Sequence, residues 1–120
     1  AGGWILLTVP ADPALWTDLD VYAGHERRYT RPMVEDLCRR ASLEVVSVAP
    51  LFRSLWPLAR TRAALRGATR IDDPESEYRV GRFTNRLLSS VLGVERRLFG
   101  GSTRGLGTSW LAVTRAPGLP

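Results

Sequence analysis

The run from Asp20 to Thr30 holds the chain's single histidine, His25, together with Glu26, the adjacent pair Arg27 and Arg28, and the phenol of Tyr29. An imidazole changes charge near neutral pH and can take a proton from a substrate hydroxyl or amine, which makes His25 the candidate general base. The other reading of His25 is a surface histidine that holds the loop by bonding a backbone carbonyl. A guanidinium is a planar fork suited to clamping a carboxylate or phosphate. Neighbours on an extended loop point to opposite sides, so one of Arg27 and Arg28 faces a substrate. Arg28 is the expected clamp, and Arg27 is expected to pair with Asp18, Asp20 or Glu26. The expected substrate-binding set is Trp16, Asp20, Arg27, Arg28 and Tyr29. Within it, Trp16 reads equally as a hydrophobic wall or as core, and Tyr29 reads foremost as a packing staple.

Composition bounds what these residues can belong to. At 120 residues and 44% apolar, the chain is long enough for one domain with a modest core and too apolar for a disordered chain. The net charge of +5 comes from arginine alone, because the sequence has no lysine. One cysteine, Cys38, excludes an internal disulfide, and with one histidine it excludes an ordinary zinc site made by this chain. No apolar run approaches the roughly 20 residues that span a bilayer, and Ala1-Gly2-Gly3 lacks signal-peptide features, so a cytoplasmic location is expected.

The elements that must position the loop follow from periodicity. Trp4 to Val9 is an almost wholly apolar run that reads as a strand buried on both faces, as in a parallel sheet. Ala11 to Ala23 is a long connection, irregular or with a single helical turn. Thr30 reads as an N-cap, Tyr29 as a staple onto Val34, and Val34, Leu37, Cys38 and Ala41 form one helical stripe. Leu43 to Val48 reads as a second strand, so the order strand, helix, strand predicts a right-handed unit with parallel strands. Leu51 to Arg66 reads as a basic amphipathic helix, kinked or started at Pro57. Residues 67–81, with Asp72, Asp73, Pro74, Glu75 and Glu77, read as an acidic mobile loop. Thr84 to Phe99 carries the stripe Leu87, Leu88, Val91, Leu92, Glu95, Leu98 and Phe99, stopped by Gly100 and Gly101. Thr108 to Thr114 reads as a third strand, and 117–120 as a frayed end.

Several of these stretches resemble the closing half of class I S-adenosylmethionine-dependent methyltransferases of the type 11 or type 12 small-molecule group. Gly2-Gly3 leading into Trp4 to Pro10 resembles that family's turn and fifth strand. The most specific part is Asp20 followed by Gly24-His25-Glu26-Arg27-Arg28-Tyr29-Thr30. Asn85 through Glu95, then Gly107 to Val113, resembles the closing helix and last strand, so the resemblance covers nearly the whole chain. Met33 departs from a frequent Glu, and Ser42-Leu43 from a usual Gly-aromatic pair; both departures bear on stability rather than chemistry.

The resemblance implies an α/β fold: the C-terminal half of a Rossmann-like sheet, with strands 5 and 6 parallel, strand 7 antiparallel, the three paired in the order fifth, seventh, sixth, and covering helices. Residues 1–120 would be the C-terminal part of the domain, 51–100 a helical cover or insert, and the cofactor-binding N-terminal half would be absent, as in a partial reading frame. S-adenosylmethionine would be bound mainly by that missing half, and the chain alone would be inactive. Gly100 to Gly107 is rich in glycine but precedes a strand instead of following one, so it is not expected to hold the cofactor.

The implied acceptor is a small or lipid-like molecule. Residues 51–66 read either as a segment for peripheral membrane contact, with Phe52 and Trp56 among headgroups, or as a cover helix. The exposed edge of Trp4 to Val9 offers self-association. The rival class is a small basic, non-catalytic module for nucleic acid or a partner protein. Arginines scattered over several elements, without aromatics between them on one strand face, argue against nucleic acid.

Overall fold

The computed structural model describes residues 2–65 and 79–118. Strand β1 (Trp4–Pro10) leads through a 3-10 turn (Pro13–Leu15) to the short helix α1 (Asp18–Tyr22) and then to α2 (Arg31–Arg40). Strand β2 (Glu44–Leu51), a second 3-10 turn (Arg53–Leu55) and α3 (Trp56–Ala64) follow; α4 (Arg82–Phe99) and β3 (Ser109–Arg115) close the chain. The acidic loop expected at 67–81 falls mostly outside the described residues, as do Arg66 and the end of the expected tail at 119–120.

The last strand takes the central place. The sheet order is β1, β3, β2, and β3 runs antiparallel to both neighbours, with Leu7 opposite Ala112 on one side and Val48 opposite the same Ala112 on the other. The molecule is thus a small α/β arrangement on a three-stranded antiparallel sheet. This corrects the expected Rossmann-like sheet with parallel strands 5 and 6; the last strand's antiparallel place between the other two is the order the resemblance implies. The reason is physical: an apolar run identifies a strand but not its neighbour, and here residues at the far end of the chain separate β1 from β2.

β1 is also corrected as a doubly buried strand. Trp4 and Leu6 are 63% and 69% exposed, while Leu7 and Val9 pack on the core. Alternate side chains of a strand face opposite ways, and α2 covers only one face of the sheet. The core there is Ala11, Val34, Cys38, Val48, Trp110 and Ala112. Val34 and Cys38 are the buried part of the expected α2 stripe; Leu37 and Ala41 are exposed.

α2 starts at Thr30 in the N-cap position, with Pro32 in its first turn. It ends in a Schellman motif: the Leu43 amide donates to the Cys38 carbonyl at 2.9 Å and the Ser42 amide to Arg39 at 2.9 Å. The intervening Ser42 has φ 56°, a left-handed conformation that glycine adopts without strain.

The described residues 51–65 do not form one helix, and of the two expected alternatives the later start near Pro57 is the one seen. Leu51 still belongs to β2, and α3 begins only at Trp56, whose indole N–H donates to Asp12 at 2.9 Å. Apolar and basic residues are not segregated on α3, so its amphipathic character is not seen. The helix expected over Thr84 to Phe99 is α4, and none of its residues is buried. No helix among the described residues is long and apolar enough to cross a membrane.

Candidate functional site

The candidate site is built by the short helix α1, whose two ends are both tied by Asp20. At its start, the Thr17 amide donates to Asp20 Oδ2 at 2.9 Å, and the Thr17 hydroxyl approaches the same oxygen at 3.4 Å. At its end the chain turns back: the Gly24 amide donates to Val21 at 3.1 Å and the His25 amide to the Asp20 carbonyl at 2.8 Å. This is a second Schellman motif, with Gly24 at φ 70° supplying the left-handed residue. The reversal brings His25 back over Asp20, and Nδ1 lies 2.9 Å from Asp20 Oδ1.

Arg28 approaches from the other side. Its Nε donates to Asp20 Oδ1 at 2.9 Å and to Oδ2 at 3.1 Å, and its terminal nitrogen donates to the Ala11 carbonyl at 3.0 Å. The Asp20 side chain is 1% exposed, that of Arg28 15%, and that of His25 41%. A carboxylate so buried survives only because every lone pair finds a donor. Burial by itself would push the Asp20 carboxyl up. The hydrogen bonds from His25, the Thr17 amide and Arg28, with the guanidinium charge, outweigh burial and hold it below the usual carboxylate range.

The loop is anchored beyond Arg28 by the backbone of Tyr29. Its amide donates to Pro10 at 2.8 Å, and its carbonyl accepts from the Asp12 amide at 3.0 Å and from the Trp110 indole at 2.9 Å. Its ring packs against the core cluster.

The structure therefore brings Asp20, His25 and Arg28 together, with Tyr29 as their anchor. Trp16 lies half-buried where the Pro13–Leu15 turn ends, and it is not part of this cluster. Arg28 is the more buried of the two and Arg27 is exposed, but the expected pairing is corrected: Arg28 takes the Asp20 carboxylate, and Arg27 makes no ion pair among the described residues. Thr17 and Ala11 were not singled out from sequence. Thr17-x-x-Asp20 is a capping-box spacing with Asp in place of Glu, a signal that could have found the first; no local signal marks the Ala11 carbonyl.

Chemically, an ionised carboxylate can only accept, so the His25 nitrogen facing Asp20 carries the proton. Nε2 is then the basic nitrogen. The arrangement can take up a proton at Nε2 and stabilise the resulting imidazolium through Asp20. Among the described residues, no group of three or more His, Cys, Asp or Glu side chains comes together as a metal site.

The loop at residues 100–107 does not fit as a cradle for S-adenosylmethionine. The glycine-containing loop after α4 turns its carbonyls inward: those of Ser102 and Arg104 accept from the Arg53 guanidinium, the first at 2.6 Å. Gly107 is pressed onto β2, where an added Cβ would lie 2.3 Å from the Leu51 carbonyl oxygen. With those carbonyls already bonded to Arg53 and Gly107 closed off by β2, this loop does not fit as the backbone cradle of that cofactor.

No known family model matches the chain, and no curated protein or solved structure is significantly similar to it.

Proposed function

We propose that this chain is the acceptor-side portion of an S-adenosylmethionine-dependent methyltransferase, in which His25 takes a proton from a hydroxyl or amine of a small or lipid-like acceptor. The observation that carries this reading is the 2.9 Å contact of His25 Nδ1 with a buried, anionic Asp20, on the side of the ring away from Nε2. The acceptor's proton moves to Nε2, leaving its oxygen or nitrogen as the nucleophile. Asp20 is a positioning residue that orients the ring and offsets its new charge, and Arg28 holds Asp20 ionised. S-adenosylmethionine would supply the methyl group and would be held by polypeptide outside the described residues.

Two further features support the reading. The segment that carries the family resemblance, Gly24 to Thr30, is the one that assembles the histidine, carboxylate and guanidinium. The outer edge of β1 is unpaired among the described residues, and Trp4 and Leu6 lie open on the uncovered face, as suits a sheet continued by more chain.

The test is transfer of labelled methyl groups to a panel of hydroxyl and amine acceptors by the product of the full reading frame. His25→Gln should lower the rate by roughly 10²–10⁴ with donor affinity unchanged. A rate within about threefold of the parent removes the base role. Saturable binding of S-adenosylmethionine to the 120-residue chain in calorimetry would overturn the placement of the donor elsewhere.

A further inference from the structure

α4 carries an apolar stripe that stays exposed among the described residues, with only Arg53 and Ser54 bordering it on one side. Leu87, Val91, Val94 and Leu98 recur at i, i+4, i+7 and i+11, with Phe83 beside them, and their exposures are 55%, 37%, 54%, 68% and 82% in that order. The helix is held to the molecule from another side. Glu95 accepts from the amides of Arg53 and Ser54 at 2.8 Å each, and the Arg53 guanidinium lies over the Phe99 ring at 5.4 Å.

Charge identifies what this face fits. At about 100° per residue, Arg82, Arg86 and Arg97 fall together along one flank of the apolar stripe, and none has an anionic partner among the described residues. Arg96 lies farther round the helix. The one acidic residue of α4, Glu95, is consumed by the Arg53–Leu55 turn. An apolar face flanked by unpaired guanidinium groups, with no free carboxylate, complements an interface of acyl chains below phosphates.

We propose that α4 is an interfacial anchor that lays Phe83, Leu87, Val91, Val94 and Leu98 into the surface of an anionic bilayer, with Arg82, Arg86 and Arg97 on the lipid phosphates. The anchor is distinct from residues 51–66: Trp56 there is turned inward to Asp12, and α3 has no segregated apolar face. A second copy of the chain fits less well. The stripe covers about two heptads, whereas a self-standing coiled coil takes three to four. The inference does not depend on methyl transfer, and its test needs no enzyme assay.

The experiment is co-sedimentation of the 120-residue chain with phosphatidylcholine vesicles, with and without about a third phosphatidylglycerol. Each basic residue near an anionic surface strengthens partitioning about fivefold, so three arginines predict an anionic preference of roughly a hundredfold, lost at high salt. Leu98→Glu should weaken binding at least about tenfold while leaving the thermal melt unchanged, since Leu98 is already exposed. The double variant Arg86→Gln, Arg97→Gln should cut the anionic preference by about 25-fold. Equal binding to neutral and anionic vesicles, no binding, or a Leu98→Glu variant that binds like the parent overturns the proposal. So does a dimer in vesicle-free solution that Leu98→Glu converts to monomer, which assigns the face to a second copy.

Discussion

Replacing Asp20 by asparagine keeps the side chain's shape and removes its charge. In the native site Oδ1 receives His25 Nδ1 and Arg28 Nε, while Oδ2 receives Thr17 and Arg28 Nε. An amide has one oxygen and one NH2, so in either orientation a donor faces a donor. Removing one partner of a buried ion pair costs about 3–5 kcal/mol. With an unfolding entropy of about 2.1 cal/mol/K per residue, roughly 3 kcal/mol lowers Tm by about 12 °C in a chain of this length.

The variant also acts on the ring. If the NH2 meets Nδ1, the imidazole must place its proton on Nε2, and the outward nitrogen ceases to be a base. Long-range ¹H–¹⁵N correlation reads this directly, because His25 is the only histidine. The parent should show Nδ1 protonated and the variant Nε2 protonated.

Acid supplies the linked check. The Asp20 carboxyl titrates below its ordinary 3.8 when folded, so its stabilisation is full above 3.8 and is lost as pH falls through the folded value. The Tm gap between parent and Asp20→Asn should therefore hold from about pH 6 to about pH 4 and narrow as the pH falls further. A Tm loss under about 3 °C, or a gap that does not change with pH, would refute the reasoning that Asp20 is an ionised hub.

Ser42→Gly relieves the left-handed strain at φ 56° and should raise Tm by about 2–4 °C in a thermal melt, the equivalent of roughly 0.5–1 kcal/mol. Gly24→Ala imposes the same strain at φ 70°; it should lower Tm by about 4–8 °C and weaken the Nδ1 tautomer preference in the same NMR experiment. Glu95→Ala removes the carboxylate that caps the Arg53–Leu55 turn. Native-state hydrogen exchange should speed up tenfold or more, on the order of 1–2 kcal/mol, across α4 while the sheet amides stay protected.

Local spacing made much of the site legible. Thr30 could be assigned the start of α2, and Val34 with Cys38 its apolar side, because each depends on residues within one or two helical turns. The cluster of His25, Arg28 and Asp20 was visible as a set of reactive types. Which arginine pairs with Asp20 was not: Arg28 is held there in part by the Ala11 carbonyl, which lies beyond the reach of any local pattern.

The same distinction divides the whole fold. The amino-acid sequence alone determined where strands and helices form, that one imidazole sits beside carboxylates and guanidiniums, and that all 17 basic residues are arginines. Those properties follow from side-chain periodicity, capping and charge, all local in origin. Tertiary structure alone decided that β1 keeps one face open and that α4's apolar stripe meets no core among the described residues. Strand partners and helix docking are choices among distant segments of similar apolarity, settled by which combination leaves fewest buried polar groups unpaired.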